Sequence, residues 1–499
     1  MAAAQIRGHA VALPSLEDYF PDWKQREALA EAMIPLIGKL YRNNVVVYCY
    51  GRALYNQSVT QLMKAHRYVR QLAQNELSEF ETYPILVAMS ELDLGPCHVD
   101  VGKLASTLIE NNVQDEAEIK RFVLEQCSKV IGVTTPPLSE PQDVVLYGFG
   151  RIGRLLARLL IEKTGGGTQL RLRAIVVRRS GANDLMKRAG LLRRDSVHGS
   201  FQGTIRVDEE NECIIANGNV IRVIYAEGPD KVDYTAFGIS NAIVIDNTGA
   251  WSDEEGLSQH LKSKGASRVI LTAPGKGGIK NIVAGINHRD IEPSDNILAA
   301  ASCTTNAIVP VLKAVNDRFG IVNGHMETVH AYTNDQNLID NFHKKNRRGR
   351  GAPLNMVITE TGASSAVTKL LPELDGKLTG NAIRVPTPNV SLVILNLTLN
   401  ETTDETEVQE FLRTSALHGK LQRQIDFTTS PDIVSSDLVG NRHACIVDGE
   451  AIIVKDNRAV LYVWYDNEFG YSCQVVRVVQ KMAGISYPLI PENVEDMGF

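Results

Sequence analysis

A glycine-rich turn between a short apolar run and a helical run restricts this chain to a small number of folds. Residues 143–147 form the apolar run, and Gly148, Gly150 and Gly153 follow it in a G-x-G-x-x-G pattern that leads into a helical pattern at 155–160. In this setting the first glycine permits a tight turn, the second lets the backbone approach a pyrophosphate, and the third brings the helix close to the strand. The pattern predicts a dinucleotide-binding unit, and the alternative is a structural glycine turn.

Beyond this turn, strand-like and helix-like segments alternate. Three further apolar runs read as buried strands: residues 172–177, 241–246 and 267–272. Helical segments lie between some of them, so we expect an α/β fold with a Rossmann-type doubly wound parallel sheet. A strand-like run at 390–397 and helical patterns around 357–370 and 405–416 predict a second, α+β domain.

The first quarter of the chain has a different pattern. From residue 15 to about 131, apolar residues recur at helical spacing, as at Val59, Leu62, Val69 and Leu72. Such stripes are typical of packing faces. Three prolines between 132 and 141 indicate a linker, because proline disfavours both helix and sheet. We therefore predict an α-helical N-terminal extension over residues 1–135, with no role assigned.

One cysteine stands between small hydroxyl residues at a predicted helix start. Cys303 lies between Ser302 and Thr304, and the apolar-periodic run 307–315 follows. Free backbone N–H groups and the positive end of the helix dipole favour a thiolate there. His330 follows along the chain and could accept the thiol proton. A single cysteine is more often a small buried hydrophobe, but these surroundings favour a nucleophile.

Composition excludes several classes of protein. A chain of 499 residues suggests three domains, and a formal charge of -6 provides no general basic field for nucleic acid. Seven cysteines without metal-ligand spacing indicate a reducing compartment and no metal site. No apolar run approaches the length of a signal or membrane segment. We expect a cytoplasmic protein without a nucleic-acid or membrane partner.

Seven segments carry a resemblance to a known family: residues 148–154, 195–199, 301–306, 328–330, 374–380, 384–391 and 464–472. In this order they resemble phosphorylating glyceraldehyde-3-phosphate dehydrogenases. The resemblance covers roughly residues 142 to 485, and its most specific segments are those around Cys303 and at 464–472. Residues 1 to about 135 fall outside it.

The resemblance implies a domain organisation and a reaction. Residues 136–301 would form an NAD(P)-binding Rossmann domain completed by a C-terminal helix over 471–499, and residues 302–470 the catalytic domain. The family oxidises glyceraldehyde 3-phosphate reversibly with a nicotinamide cofactor and inorganic phosphate, giving 1,3-bisphosphoglycerate through a cysteine thioester. It also suggests a homotetramer.

The resemblance assigns the site residues as well. Cys303 would be the nucleophile and His330 its base. Thr333 and Arg384 would hold the substrate phosphate. The attacking phosphate would contact Ser302, Thr361 and Gly362, with Arg348 nearby and Thr304 as a further candidate. The expected cofactor contacts are Gly148, Gly150, Arg151, Ile152, Gly153, Thr248, Thr272 and Asn467.

The tip of the predicted second strand departs from this family. NAD-dependent members usually carry an acidic residue there, whereas this chain continues as Arg178, Arg179 and Ser180. A carboxylate would repel a 2′-phosphate and paired arginines would attract it. We therefore expect NADP or dual use, with Arg178 and Arg179 as cofactor contacts. The alternative is an exposed basic turn, with Asp184 as the ribose ligand.

Two other functions fit the same sequence. Erythrose-4-phosphate dehydrogenase shares the scaffold and the Cys/His pair. A regulatory or binding protein could also retain the fold and use the extension to contact a partner, although an intact Cys303, His330 and Arg384 argue against an inactive enzyme.

Overall fold

The computed structural model describes residues 15–73 and 77–492. Residues 1–14 and 74–76 of the predicted extension, and 493–499 of the predicted final helix, lie outside the described residues. Three larger sheets and one two-stranded ladder organise the described part of the chain.

The N-terminal extension is helical, as expected, and also contains strands that its sequence pattern did not reveal. Its described elements are α1 (Tyr19–Arg42), β1 (Val45–Cys49), β2 (Arg52–Ala53), α2 (Val59–Ala73), α3 (Glu79–Ser90), β3 (Cys97–Asp100), α4 (Val101–Glu110) and α5 (Glu116–Gln126). The strand β1 begins with three consecutive valines that are 0–7% exposed. Because β-branched side chains favour a pleated, buried surface, this run forms a strand between two helices.

The predicted dinucleotide-binding unit is a nine-stranded sheet with the order β13-β14-β12-β11-β4-β5-β10-β9-β8. Its elements are β4 (Gln142–Tyr147), α6 (Arg151–Glu162), β5 (Leu170–Val177), α7 (Asp184–Arg193), β6 (Arg194–Asp195), β7 (Gly199–Ser200), β8 (Ile205–Asp208), β9 (Cys213–Ala216), β10 (Asn219–Tyr225), β11 (Ala242–Asp246), α8 (Glu254–Ser258), β12 (Ala266–Leu271), β13 (Lys280–Asn281) and β14 (Ile297–Ala299), with β6 and β7 forming the separate ladder. The central strands β5, β4, β11 and β12 run parallel. The predicted Rossmann-type sheet is therefore confirmed.

The second large sheet has the order β16-β17-β15-β18-β22-β20-β19, with β21 paired to β22. Its elements are α9 (Cys303–Phe319), β15 (Ile321–Ala331), β16 (Val357–Thr359), α10 (Ala363–Leu370), β17 (Leu378–Val385), β18 (Ser391–Leu399), α11 (Glu405–Leu417), β19 (Ile425–Thr428), β20 (Cys445–Asp448), β21 (Ile453–Lys455) and β22 (Arg458–Tyr465). The helix predicted around 357–370 was too long, because its first residues pair with β17 as an edge strand.

The C-terminal segment joins all three parts of the protein. The helix α12 (Phe469–Met482) packs against α6 of the parallel sheet. It ends well before the predicted end of the final helix, since Gly484 adopts a φ of 78° and Pro488 follows. The strand β23 (Leu489–Ile490) then pairs in parallel with β3 of the extension. None of the described helices is long and apolar enough to cross a membrane.

Candidate active site

The candidate nucleophile lies at the first residue of α9. The Ser302 side chain caps this helix by accepting a hydrogen bond from the backbone N–H of Thr305 at 2.9 Å. Cys303 is half-buried and lies at the helix N-terminus, as its sequence context predicts. Its Sγ atom is 3.5 Å from Nε2 of His330, which is 27 residues further along the chain.

Strand pairing brings a third side chain to this pair. The strands β15 and β17 run parallel, with His330 directly opposite Arg384. Nη1 of Arg384 lies 2.7 Å from Nδ1 of His330 and 2.9 Å from the carbonyl oxygen of Ala331. Nδ1 also lies 2.7 Å from the same carbonyl oxygen. A bond from Arg384 requires the imidazole proton on Nε2, facing Cys303, whereas a bond to Ala331 requires it on Nδ1.

Arg384 is a cation without an anionic partner among the described residues. Its Nε atom is buried and makes no hydrogen bond to any of them. Burial, followed by the nearby positive charge of Arg348, lowers the pKa of Arg384. A half-buried guanidinium in this state is suited to a ligand with negatively charged oxygens, because a charge-assisted bond would offset its desolvation.

The electrostatics of the pair differ from the thiolate expected at the helix start. Burial raises the pKa of Cys303, and the positive charge of Arg384 lowers it by a smaller amount. Burial and then Arg384 lower the pKa of His330 to about 3. Both shifts favour the neutral forms of the thiol and the imidazole, because burial is the largest cause of each.

Two other residues assigned to phosphate are Arg348 and Thr333. Arg348 forms an ion pair with Asp335 and donates from Nε to the hydroxyl of Thr359 at 3.1 Å. Its charge also contributes to the low pKa of His330. Thr333 is half-buried, two residues beyond the end of β15.

Three further candidates make local contacts. Thr361 accepts a hydrogen bond from the backbone N–H of Ala363 at 3.2 Å, and Gly362 caps α10. The hydroxyl of Thr304 is 3.0 Å from that of Tyr465 and is nearly buried. Thr304 therefore contacts β22 of the catalytic sheet, and its side chain and backbone also lower the pKa of the neighbouring Cys303 by hydrogen bonding.

The glycine turn can accommodate a dinucleotide. A Cβ atom on Gly153 would lie 2.5 Å from the carbonyl oxygen of Gly148, so close packing of helix and strand requires glycine there. At Gly150 a Cβ would meet nothing within 4 Å, and no side chain caps the helix that begins at Arg151. The free backbone N–H groups of α6, including those of Arg151 and Ile152, suit a pyrophosphate.

Two predicted threonines lie beside this turn. The hydroxyl of Thr248 donates to Oδ1 of Asp246 at 2.7 Å, and that of Thr272 donates to the carbonyl oxygen of Asp246 at 3.0 Å. A Cβ on Gly148 would lie 3.0 Å from Cγ2 of Thr248. Both threonines are thus at the carboxyl ends of neighbouring parallel strands, where such sheets bind their ligands.

Asn467 connects the cofactor side of the site to the catalytic pair. Its Oδ1 accepts a hydrogen bond of 2.8 Å from the hydroxyl of Ser391, which in turn accepts a bond of 3.1 Å from the backbone N–H of Ala331. The amide nitrogen of Asn467 is thereby the group left to meet a ligand. Ser391 was not predicted as a functional residue, although it lies inside one of the segments that carry the family resemblance.

Comparisons with known proteins identify the family of this chain. The family model of the glyceraldehyde 3-phosphate dehydrogenase NAD-binding domain matches residues 142–254, and that of the C-terminal domain matches residues 302–467. A glyceraldehyde-3-phosphate dehydrogenase-like protein of Pseudomonas aeruginosa (strain UCBPP-PA14) is 64% identical over 463 residues, covering 92% of this chain and 100% of that protein. The chain belongs to the glyceraldehyde-3-phosphate dehydrogenase family.

Shorter relatives show how much of this chain is additional to the dehydrogenase domains. A glyceraldehyde-3-phosphate dehydrogenase of Zymomonas mobilis is 38% identical over 342 residues, which are 68% of this chain and 98% of that protein. One from Borreliella burgdorferi is 39% identical over 346 residues, which are 68% of this chain and 99% of that protein. About a third of the chain therefore has no counterpart in these dehydrogenases, whereas the Pseudomonas relative covers most of it.

The tip of β5 carries the departure from the usual family pattern. Arg179 forms an ion pair of 2.6 Å with Glu212 and lies over the ring of Tyr225 at 3.7 Å. Asp184 is bonded by Arg188 at 2.6 Å. The Arg178 side chain is exposed and makes no hydrogen bond or ion pair to a described residue. Gly148 donates its backbone N–H to Val176 of β5 at 2.9 Å, so Arg178 follows the strand beside the glycine turn.

The side chain of Arg151 has a structural role beside its predicted backbone contact. It bonds Asp195 at 2.9 and 3.1 Å and Glu468 at 2.6 Å. Glu468 also lies 3.0 Å from Nε2 of His198. This bridge fixes the start of α6 against the loop before α12, which carries Asn467.

Proposed function

We propose that this protein oxidises glyceraldehyde 3-phosphate, with NAD(P) and inorganic phosphate, to 1,3-bisphosphoglycerate through a thioester on Cys303. The observation that carries the proposal is the group formed by Cys303, His330 and Arg384. It places a thiol 3.5 Å from an imidazole, beside a half-buried guanidinium that has no anionic partner among the described residues. The reaction needs a nucleophile, a proton acceptor and a phosphate anchor, and these three side chains supply them.

The substrate phosphate would itself prepare the base. In its absence, Arg384 donates to Nδ1 of His330, so Nε2 carries the ring proton and cannot accept another. A phosphate that draws Arg384 away frees Nδ1 to donate to the carbonyl oxygen of Ala331, which lies 2.7 Å from it. Nε2 then faces the thiol as an acceptor, and the added negative charge raises the pKa of His330.

The covalent steps follow from this arrangement. Sγ of Cys303 attacks the aldehyde carbon as the thiol proton passes to Nε2 of His330, and His330 returns this proton to the former carbonyl oxygen, which gives the hemithioacetal. A bound nicotinamide supplies the acceptor for hydride from that carbon. His330 takes the hydroxyl proton as the carbonyl of the thioester forms. Inorganic phosphate then attacks the thioester carbon and the carbon–sulfur bond breaks, and the leaving thiolate of Cys303 takes the proton from His330, which restores both groups.

Two phosphates must be held during this sequence. Arg384 and Thr333 would bind the substrate phosphate, because Arg384 lies opposite His330 on β17 and Thr333 follows the end of β15 that carries His330. Ser302, Thr361 and Gly362 would receive the attacking phosphate, with Arg348 adding positive charge. The contact between Thr304 and Tyr465 argues for a supporting role of Thr304 at the start of α9.

The cofactor preference rests on Arg178 and Arg179. A 2′-phosphate bound beside the end of β5 would meet the exposed Arg178 directly. Arg179 would have to weaken its ion pair with Glu212. Asp184 is already bonded to Arg188 and so is a poor acceptor for a ribose hydroxyl. These contacts favour NADP or dual use, with Arg178 as the stronger determinant.

We also propose that copies of the chain associate with one another, as the predicted tetramer requires, and that the protein is cytoplasmic. The segment between β15 and β16 exposes large apolar side chains, each between 74% and 91% accessible: Leu338, Ile339, Phe342 and Leu354. A concentration of such side chains on one segment is typical of a surface covered by a partner.

The reaction is tested by following NADH and NADPH formation with glyceraldehyde 3-phosphate in the presence and absence of phosphate. We expect turnover that depends on added phosphate. We also expect a higher kcat/KM with NADP than an enzyme with a carboxylate at the end of β5 would have. Erythrose 4-phosphate serves as the competing substrate. Faster turnover of erythrose 4-phosphate without phosphate would contradict the proposal, and so would the absence of any dehydrogenase activity.

A further inference from the structure

A cavity of about 110 Å³ lies where the extension, the catalytic sheet and the helices of the cofactor domain meet. The extension contributes His98 and Lys103, the catalytic part contributes Arg423 and Arg442, and the cofactor-binding part contributes Lys163 and Arg477. Lys163 directly follows α6, and Arg477 lies within α12. None of the residues assigned to the active site lines this cavity.

The cavity has an excess of positive charge. Five cationic side chains line it: Lys103, Lys163, Arg423, Arg442 and Arg477. Asp100 supplies the carboxylate among the residues that line the cavity. Both Asp100 oxygens are already occupied, since Oδ1 accepts bonds from the backbone N–H groups of Tyr50 and Lys103 and Oδ2 accepts one from that of Gly51.

The cations differ in what satisfies them. Arg442 is paired with Glu162 at 2.8 Å. Arg423 contacts His98 and Lys103 contacts Gln422, and both of these partners are uncharged acceptors here.

Burial lowers the pKa of His98 well below its usual value, so it adds no charge of its own. The side chains of Lys163 and Arg477 make no hydrogen bond or ion pair to any described residue.

This arrangement raises the free energy of the folded protein unless an anion is present. Burial and then the charge of Arg442 lower the pKa of Lys163 to about 8. Burial and then Arg423 lower the pKa of Arg477 to about 10. Both directions mean that the charged forms are disfavoured. Lys163 and Arg477 are half-buried, and a charge that has lost part of its hydration is stabilised by a ligand of opposite charge.

We propose that this cavity is a second anion site, which binds a small phosphate-bearing molecule and holds the extension against the catalytic body. Guanidinium forks and ammonium groups match phosphate oxygens. A water occupies about 30 Å³ in the liquid, so the cavity has room for a phosphate or pyrophosphate group. Such a ligand would be bonded by residues of all three parts at once, and the extension would be necessary for its binding.

The chain itself offers a competing source of negative charge. Pro491 lines the cavity, and Glu495 and Asp496 follow it in the sequence, outside the described residues. Carboxylates from that segment could use the same cations. A variant ending at Glu492 distinguishes this source from a free phosphate ligand.

The test measures pyrophosphate binding by calorimetry on the full chain that carries Arg384→Ala, because this substitution weakens anion binding in the active site. We expect the cavity to bind pyrophosphate in addition to any binding at the glycine turn and at the residues for the attacking phosphate, with an affinity that falls as salt is added. Adding Arg477→Gln should weaken this site by at least about tenfold, since a charge-assisted bond is lost. Lys264→Met, which removes a lysine whose side chain is 77% exposed, is the matched control and should leave binding unchanged.

Thermal unfolding supplies a second measurement in case a variant folds poorly. Without pyrophosphate, Arg477→Gln should be at least as stable as the parent, because repulsion among the cations is relieved. With pyrophosphate, the parent should gain stability and Arg477→Gln should not. Absence of binding, or equal binding by parent and variant, would overturn the proposal. So would binding that appears only after truncation at Glu492, since the occupant would then be the chain's own C-terminal segment.

Discussion

Replacing Arg384 by alanine removes the proposed anchor of the substrate phosphate and leaves the Cys303 side chain in place. The substitution deletes at least one charge-assisted hydrogen bond to that phosphate, which contributes about 1.5–3 kcal/mol. Since about 1.4 kcal/mol corresponds to a factor of ten, kcat/KM for glyceraldehyde 3-phosphate should fall by about 10- to 150-fold. Non-phosphorylated glyceraldehyde makes no such contact and should be affected far less.

The same substitution should change the base. Arg384 is the largest cause after burial of the low pKa of His330, so its removal should raise that pKa from about 3 toward the usual range. Titration of the imidazole signals by NMR measures this directly. Added phosphate should produce a shift in the same direction in the parent protein, because it neutralises the guanidinium.

Arg350→Ala is the matched control. Arg350 lies in the same segment as Arg348 and forms an exposed ion pair with Asp340 at 2.8 Å. Its removal should leave both aldehydes and the His330 titration nearly unchanged. If Arg384→Ala lowers kcat/KM equally for the two aldehydes, and the pKa of His330 does not move, Arg384 has a structural role and the reasoning is refuted.

Four further substitutions test other parts of the site. Cys303→Ala should abolish acyl-enzyme formation and lower turnover by several orders of magnitude, while fluorescence titration should show cofactor binding nearly unchanged. Arg178→Ala should weaken the binding of NADP by at least about tenfold with little effect on the binding of NAD. Arg179→Ala should weaken NADP binding by a smaller factor. An unchanged ratio of NADP to NAD efficiency in both variants would mean that other residues determine the cofactor preference. Between pH 7 and 5, the free energy of unfolding of the His330→Asn variant should fall by about 2 kcal/mol less than that of the parent, as measured by urea unfolding. The reason is that the folded pKa of His330 lies below its unfolded value, so its burial disfavours folding as pH falls. Parallel pH profiles of the two proteins would contradict this.

Local sequence patterns predicted the helices and strands whose formation depends on residues that are close together in the chain. The glycine turn, the strand β4 before it and the helix start at Cys303 could be predicted because propensity, periodicity and turn chemistry agree there. The strands of the extension were missed, since β3 has four residues and one of its partners, β23, lies near the other end of the chain. Pairing between such distant segments leaves no periodic signal.

Side-chain orientation was less predictable than position. The resemblance placed Arg384 in the site, but its contact with Nδ1 of His330 depends on the register of β15 against β17. The thiolate expected from the dipole of α9 was opposed by burial of Cys303, which is a property of the assembled site. The cationic cavity was not predicted for the same reason, because its residues come from three separate parts of the chain.

The thioester on Cys303 is the central claim, and intact-protein mass spectrometry tests it most directly. The full chain is mixed with glyceraldehyde 3-phosphate and NAD or NADP in a buffer without phosphate, then quenched in acid. We predict a covalent 3-phosphoglyceroyl adduct that peptide mapping assigns to Cys303 and that disappears when phosphate is added before quenching. Absence of the adduct while the cofactor is reduced, or an adduct on another residue, would contradict the account.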